Sequence, residues 1–213
     1  LLGTQTGCST DIALGLTKQI AAKMSQMGYT FSTLDSTWIH CTAPCFNQLR
    51  APAASALLSA AKAKNDYITL NSAFRSSASS TCCGTGTRKE SAVSASQPNP
   101  ELKHEGGRAI DTSNYSYWLT TLGNYGWAHS YPTSDPVHFD YSATSDNAQY
   151  NLMAFQKLYN INNPNNKISE DGIYGPATAT ALYNAPCNGY ALTTFLGETF
   201  DPIPEEAADY FLE

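Results

Sequence analysis

The chain has 213 residues, of which 42% are hydrophobic and 14% charged, with a formal net charge of −6. This length admits one medium domain, or one domain with a small module, and the apolar content suffices for a core. No basic cluster marks a nucleic-acid surface and no apolar run approaches the ~20 residues that cross a bilayer, so the expectation is a soluble monomer with neither nucleic acid nor membrane as partner.

Along the chain, residues 11–27 predict an amphipathic helix, with Ile12, Leu16, Ile20, Met24 and Met27 on one face and Gly28 placed to end it. Pro52 opens a second helix over residues 53–64, rich in Ala and Leu. Tyr67-Ile68-Thr69-Leu70-Asn71-Ser72-Ala73-Phe74 reads as a strand ending at Arg75. Residues 76–103 are polar and aperiodic and read as a long loop, tethered near its start by Cys82 and Cys83 and flanking the functional residues. A helix follows over Tyr115–Tyr125, with Asn114 as N-cap and Gly126 as its stop. Val137-His138-Phe139-Asp140-Tyr141 alternates like a strand, which puts His138 and Asp140 on one face.

After Ala143 the character changes. Asn147–Tyr159 predicts a helix, an Asn-rich turn covers residues 162–166, and an Ala-rich helix runs to Leu182. From Tyr190 onward Glu198, Asp201, Glu205, Glu206, Asp209 and Glu213 meet no Lys or Arg. The whole net charge is therefore a property of this tail.

Six cysteines (Cys8, Cys41, Cys45, Cys82, Cys83, Cys187) in a chain poor in charge fit an oxidising, extracytoplasmic compartment and up to three disulfides. The pairing stays open, except that adjacent Cys82 and Cys83 are expected to reach different partners. A structural zinc site from Cys41, Cys45, Cys82 and Cys83 is the rival reading, and their spacing matches the usual knuckles poorly. The chain opens on Leu, which is consistent with a removed secretory signal, and secretion is the expectation.

Two segments carry the chemistry. His104-Glu105-Gly106-Gly107-Arg108-Ala109-Ile110-Asp111 reads H-x-x-G-x-A-x-D, and Asp135-Pro136-Val137-His138 reads D-x-x-H. Two imidazoles and one carboxylate leave a fourth position for water, the arrangement of a catalytic zinc. Asp135 is then a spare carboxylate placed to act as general base. His40 has no motif around it and reads as structural, and His129 reads as an exposed histidine rather than a ligand.

In these residues the chain resembles the zinc D-alanyl-D-alanine carboxypeptidases and related cell-wall peptidases, which include vancomycin-resistance dipeptidases and phage endolysins. The resemblance covers roughly residues 50 to 142 and includes an arginine leaving a strand, Phe74-Arg75-Ser76. It implies one zinc per chain on His104, Asp111 and His138, catalysis by Asp135, and Arg75 gripping a substrate carboxylate. The chain departs from the family at Leu102, where serine is common, and at Thr133 and Ser134, where some members carry another histidine. The later run Asp171-Gly172-Ile173-Tyr174-Gly175-Pro176-Ala177-Thr178 resembles a peptidoglycan-binding module whose opening helix is missing or replaced. The implied architecture is α+β: a small antiparallel sheet flanked by helices over residues 1–143, a short helical module over 144–189 and an acidic tail over 190–213. The implied substrate is bacterial peptidoglycan, cut by an exo- or an endopeptidase, with a non-catalytic zinc-containing wall-binding protein as the alternative.

Overall fold

The computed structural model describes residues 1–5, 10–83, 100–143 and 149–192. Cys8, the stretch 84–99, residues 147–148 at the start of the helix expected over Asn147–Tyr159, and residues 193–213 of the acidic tail lie outside the described residues, as do the side chains of Cys82 and Cys83. The fold is α+β, with helices around sheets of two or three short strands. It divides into two compact units, one of Gly28–Arg75 with Pro98–Ala148, the other of Leu1–Met27, Ser76–Gln97 and Gln149–Glu213.

The first unit is built on helices α2 (Ala51–Lys64) and α5 (Tyr115–Asn124) and on strands β1 to β7. Pro52 sits in the first turn of α2, where its missing N–H costs nothing. The helix stops at Asn65, which takes the left-handed conformation that asparagine tolerates better than most residues. Leu57, Ala60 and Ala61 of α2 meet Trp118 and Leu122 of α5 in one buried cluster with Ile68, Leu70, Ile110, Trp127 and Phe139. Strands β1 (Phe31–Thr33) and β3 (Gln48–Arg50) pair antiparallel. β2 (Ile39–Cys41) and β4 (Ile68–Leu70) pair parallel, because α2 lies between them in the chain and returns it in the same direction. This parallel pair is separate from the small antiparallel sheet that the sequence predicts. A disulfide joins Cys41 to Cys45, which removes both from any zinc knuckle.

The third sheet runs in the order β5 (Ala109–Asp111), β7 (His138–Tyr141), β6 (Trp127–Ala128), all antiparallel. Gly126, with φ +84°, ends α5 and turns the chain into β6. Asn114 begins α5 through its carbonyl, which accepts from Tyr117 and Trp118, and makes no side-chain cap. The expected long loop is partly helical: α3 (Ser77–Cys83) and α4 (Pro100–Glu105) occupy its two ends. The side-chain pattern hid both, because α3 is a run of small hydroxyl residues and α4 is under two turns long.

The second unit is helical. α1 (Leu14–Gln26) packs along α6 (Gln149–Asn162), with Leu16, Ile20 and Met24 buried on one side and Leu152, Phe155 and Leu158 on the other. Thr17 of α1 shares hydroxyl hydrogen bonds with Ser76 at 2.7 Å and Ser79 at 3.1 Å. α7 (Pro176–Tyr183) follows a turn fixed by Gln156, whose amide donates to Asp171, to the Ile173 carbonyl and to Thr178 while its oxygen accepts from Gly172 N–H. Gly172 has φ +72° and a Cβ there would lie 2.7 Å from the Gln149 carbonyl oxygen, so only glycine suits. The N-terminal helix thus belongs to the same unit as α6 and α7, where sequence order had assigned it to the peptidase domain.

Candidate metal centre

The site forms where β5 meets β7. Their register sets Asp111 directly opposite His138, and Ala109 opposite Asp140. His104 arrives from the last turn of α4, and Gly106-Gly107 then turns the chain into β5. Gly107 has φ +60°, and a Cβ there would lie 2.9 Å from the Phe31 ring and 3.0 Å from the Arg50 nitrogen. Its carbonyl accepts from Arg50 N–H at 2.7 Å. The glycine of the H-x-x-G motif therefore has a steric cause: any side chain would push α4 off β3 and carry His104 with it.

His104 Nε2 lies 3.3 Å and His138 Nδ1 3.2 Å from the same oxygen, Asp111 Oδ1. The three donors all fall within 4.8 Å of one another and all three residues are buried. A tetrahedral ion with bonds of ~2.0–2.1 Å sets its ligands about 3.3 Å apart, so the two shorter separations fit such an ion. The donor set, two imidazoles and a carboxylate, suits zinc and excludes none of the neighbouring divalent transition metals.

Each donor is aimed by a partner on its far side. His104 Nδ1 donates to the Ala73 carbonyl at 2.6 Å, which leaves Nε2 as the lone-pair nitrogen. His138 Nε2 pairs with Asp140 Oδ1 at 2.8 Å, which leaves Nδ1 facing Asp111. Asp111 Oδ2 accepts from Arg75 Nη2 at 2.7 Å, and Arg75 Nε donates to Ser72 Oγ at 2.8 Å. Ser72 itself bridges Asp111 through the backbone, so Arg75 is anchored to the strand it steadies.

Electrostatics follow from this crowding. Burial would push the Asp111 carboxyl up. The charge and hydrogen bond of His104, the hydrogen bond of His138 and the charge of Arg75 together hold it well below the usual carboxylate range. Burial would lower the His138 imidazolium, but hydrogen bonds to Asp111 and Asp140 and their charges push it up to about 9. For Asp140 burial again opposes ionisation, and His138, Ser130 and Lys103 outweigh it and lower its pKa.

The structure brings His104, Asp111, His138 and Arg75 together. Asp135 is not a member of the three-donor group. It is half-buried on the turn into β7, where its carbonyl accepts from His138 N–H at 3.2 Å and its own N–H donates to Tyr131 O at 2.9 Å. His129 is half-buried rather than exposed, and its Nε2 lies 2.8 Å from the Pro136 carbonyl. His40 stacks on Tyr67 with ring centroids 4.4 Å apart, in keeping with a structural role. Sequence reasoning missed Ser72, Ala73, Ser130 and Tyr131, whose ring meets His138 edge-on at 5.3 Å. A backbone carbonyl such as that of Ala73 leaves no signal in a sequence.

No family model, curated protein or solved structure was found to match this chain.

Proposed function

We propose that the chain is a secreted zinc-dependent peptidase that hydrolyses peptide bonds in bacterial peptidoglycan stems, of the D-alanyl-D-alanine carboxypeptidase type. The observation that carries this reading is the buried convergence of His104 Nε2, Asp111 Oδ1 and His138 Nδ1, each backed by its own protein partner. Three donors of this kind are what a catalytic zinc keeps, with one position open. Zinc held there would polarise water and the scissile carbonyl near neutral pH. Asp135, three residues before His138, takes the proton of the attacking water and returns it to the leaving amine. Arg75, its side chain 20% exposed at the edge of the group, meets the substrate carboxylate. The Cys41–Cys45 disulfide agrees with an oxidising compartment. Among the described residues no helix is long and apolar enough to cross a membrane.

One observation favours a second reading, a peptidoglycan endopeptidase. The Nε–Nη2 edge of Arg75 is turned to Ser72 and Asp111, so that edge fixes a ligand instead of a substrate terminus. The experiment is digestion of purified peptidoglycan with and without a chelator. Chelator-sensitive release of free D-alanine supports the carboxypeptidase, and chelator-sensitive new amines without D-alanine support the endopeptidase. No release in zinc-loaded protein contradicts both and leaves a non-catalytic wall-binding protein.

A further inference from the structure

The segment His129-Ser130-Tyr131, just after β6, grips the turn and strand that carry Asp135 and His138 at successive points. His129 Nε2 lies 2.8 Å from the carbonyl of Pro136, and since a carbonyl can only accept, this nitrogen carries the hydrogen. Ser130 hydrogen-bonds Asp140, the carboxylate behind His138. The Tyr131 carbonyl accepts from Asp135 N–H at 2.9 Å. The His129 ring itself is sandwiched, stacking on Tyr115 at 5.8 Å and on buried Phe139 at 4.8 Å.

Pro136 matters because it has no N–H, so its carbonyl is the one backbone polar group through which residue 136 can be tied down. It stands between Asp135 and His138, and a bond to it fixes the course of the turn that carries Asp135 into β7. We propose that His129 is a positioning residue: its ring, locked between Tyr115 and Phe139, holds the Pro136 carbonyl and thereby sets where the Asp135 carboxylate stands relative to His138. The catalytic consequence rests on the proposed role of Asp135 as base. The clamp itself does not.

Two variants separate donor from ring. His129→Phe keeps an aromatic ring in the stack and removes the donor, while His129→Gln keeps an amide donor and removes the ring. Hydrogen exchange on the metal-free protein reads the clamp directly: in His129→Phe the Asp135 and His138 amides are expected to exchange about tenfold faster or more, with the Asp111 amide unchanged and His129→Gln partly protected. In zinc-loaded protein kcat is expected to fall ~10–100-fold in His129→Phe, with KM and zinc affinity within about twofold of the parent and partial recovery in His129→Gln. His129→Phe made in an Asp135→Asn background is expected to cost nothing further, because both act through one carboxylate. Unchanged exchange at Asp135 and His138 in His129→Phe overturns the clamp. An equal kcat loss in both backgrounds overturns action through Asp135. Full activity of Asp135→Asn alone instead overturns the base assignment, and with it the catalytic consequence, while the exchange result still decides the clamp.

Discussion

Replacing Asp140 by Ala separates two opposing effects on zinc binding. Asp140 Oδ1 sits 2.8 Å from His138 Nε2, and His138 is wholly buried. Without the carboxylate the imidazole loses the partner that keeps Nδ1 as its lone-pair nitrogen, and its buried Nε2–H is left unpaired. Loss of such a partner lowers metal affinity ~10–100-fold, or about 1.4–2.7 kcal/mol. The same carboxylate also helps hold a proton on His138, whose pKa stands at about 9 in the metal-free protein. At pH 7 zinc must displace that proton, which weakens apparent affinity by up to ~100-fold in the parent, and Asp140→Ala relieves part of this competition. The variant should therefore bind zinc ~10–100-fold more weakly at pH 9 but show a smaller deficit at pH 6.5. Asp140→Asn, which keeps an acceptor and loses the charge, should fall between. The assay is competition against a chromophoric chelator at both pH values. An Asp140→Ala affinity equal to the parent at both would show that Asp140 does not orient His138.

Asp135→Asn should keep its zinc and its fold and lose ~10²–10⁴-fold in turnover on peptidoglycan, because an amide cannot accept the proton; near-normal activity would remove Asp135 from the mechanism. Arg75→Ala should weaken zinc binding through Asp111, measured by the same competition, and should raise KM more for stem peptides with a free terminal carboxylate than for amidated ones. An equal effect on both substrates would confine Arg75 to steadying Asp111. The metal-free protein should lose stability from pH 7 upward. His138, raised in the folded state, contributes fully below its unfolded value near ~6.5 and loses that contribution as pH climbs through about 9. Asp111, lowered on folding, contributes fully above the unfolded carboxylate range and loses that contribution progressively as pH falls below it, outside the window of these melts. Thermal melts from pH 6 to 10 check this, and a flat profile in the metal-free protein would contradict the proposed His138 pairing.

The centre was more legible in the sequence than the frame around it, and the reason is separation along the chain. The H-x-x-G-x-A-x-D run encloses a helix end, a glycine turn and a strand in eight residues, so local geometry fixes His104 against Asp111. The alternation over Val137–Tyr141 set Asp140 on the face of His138, and the two side chains bond. Contacts between distant segments left no such trace. Arg75 and Asp111 are 36 residues apart, and nothing in either segment announces that they pair. The packing of α1 on α6 spans more than half the chain, and the Ile, Leu and Met face of α1 fits any apolar neighbour. Removing everything after residue 148 would therefore strip α1 of its packing partner, which makes truncation a poor test of wall binding. A lone histidine has no periodic signature, so His129 reads as exposed in the sequence, yet two rings and a carbonyl hold it half-buried.

The most direct measurement is zinc content per chain in the purified protein, by elemental analysis, beside the His138→Ala variant prepared identically. Close to one zinc per chain is expected in the parent, with most of it lost in the variant. Full retention in His138→Ala would place the metal elsewhere and contradict a centre built on His104, Asp111 and His138.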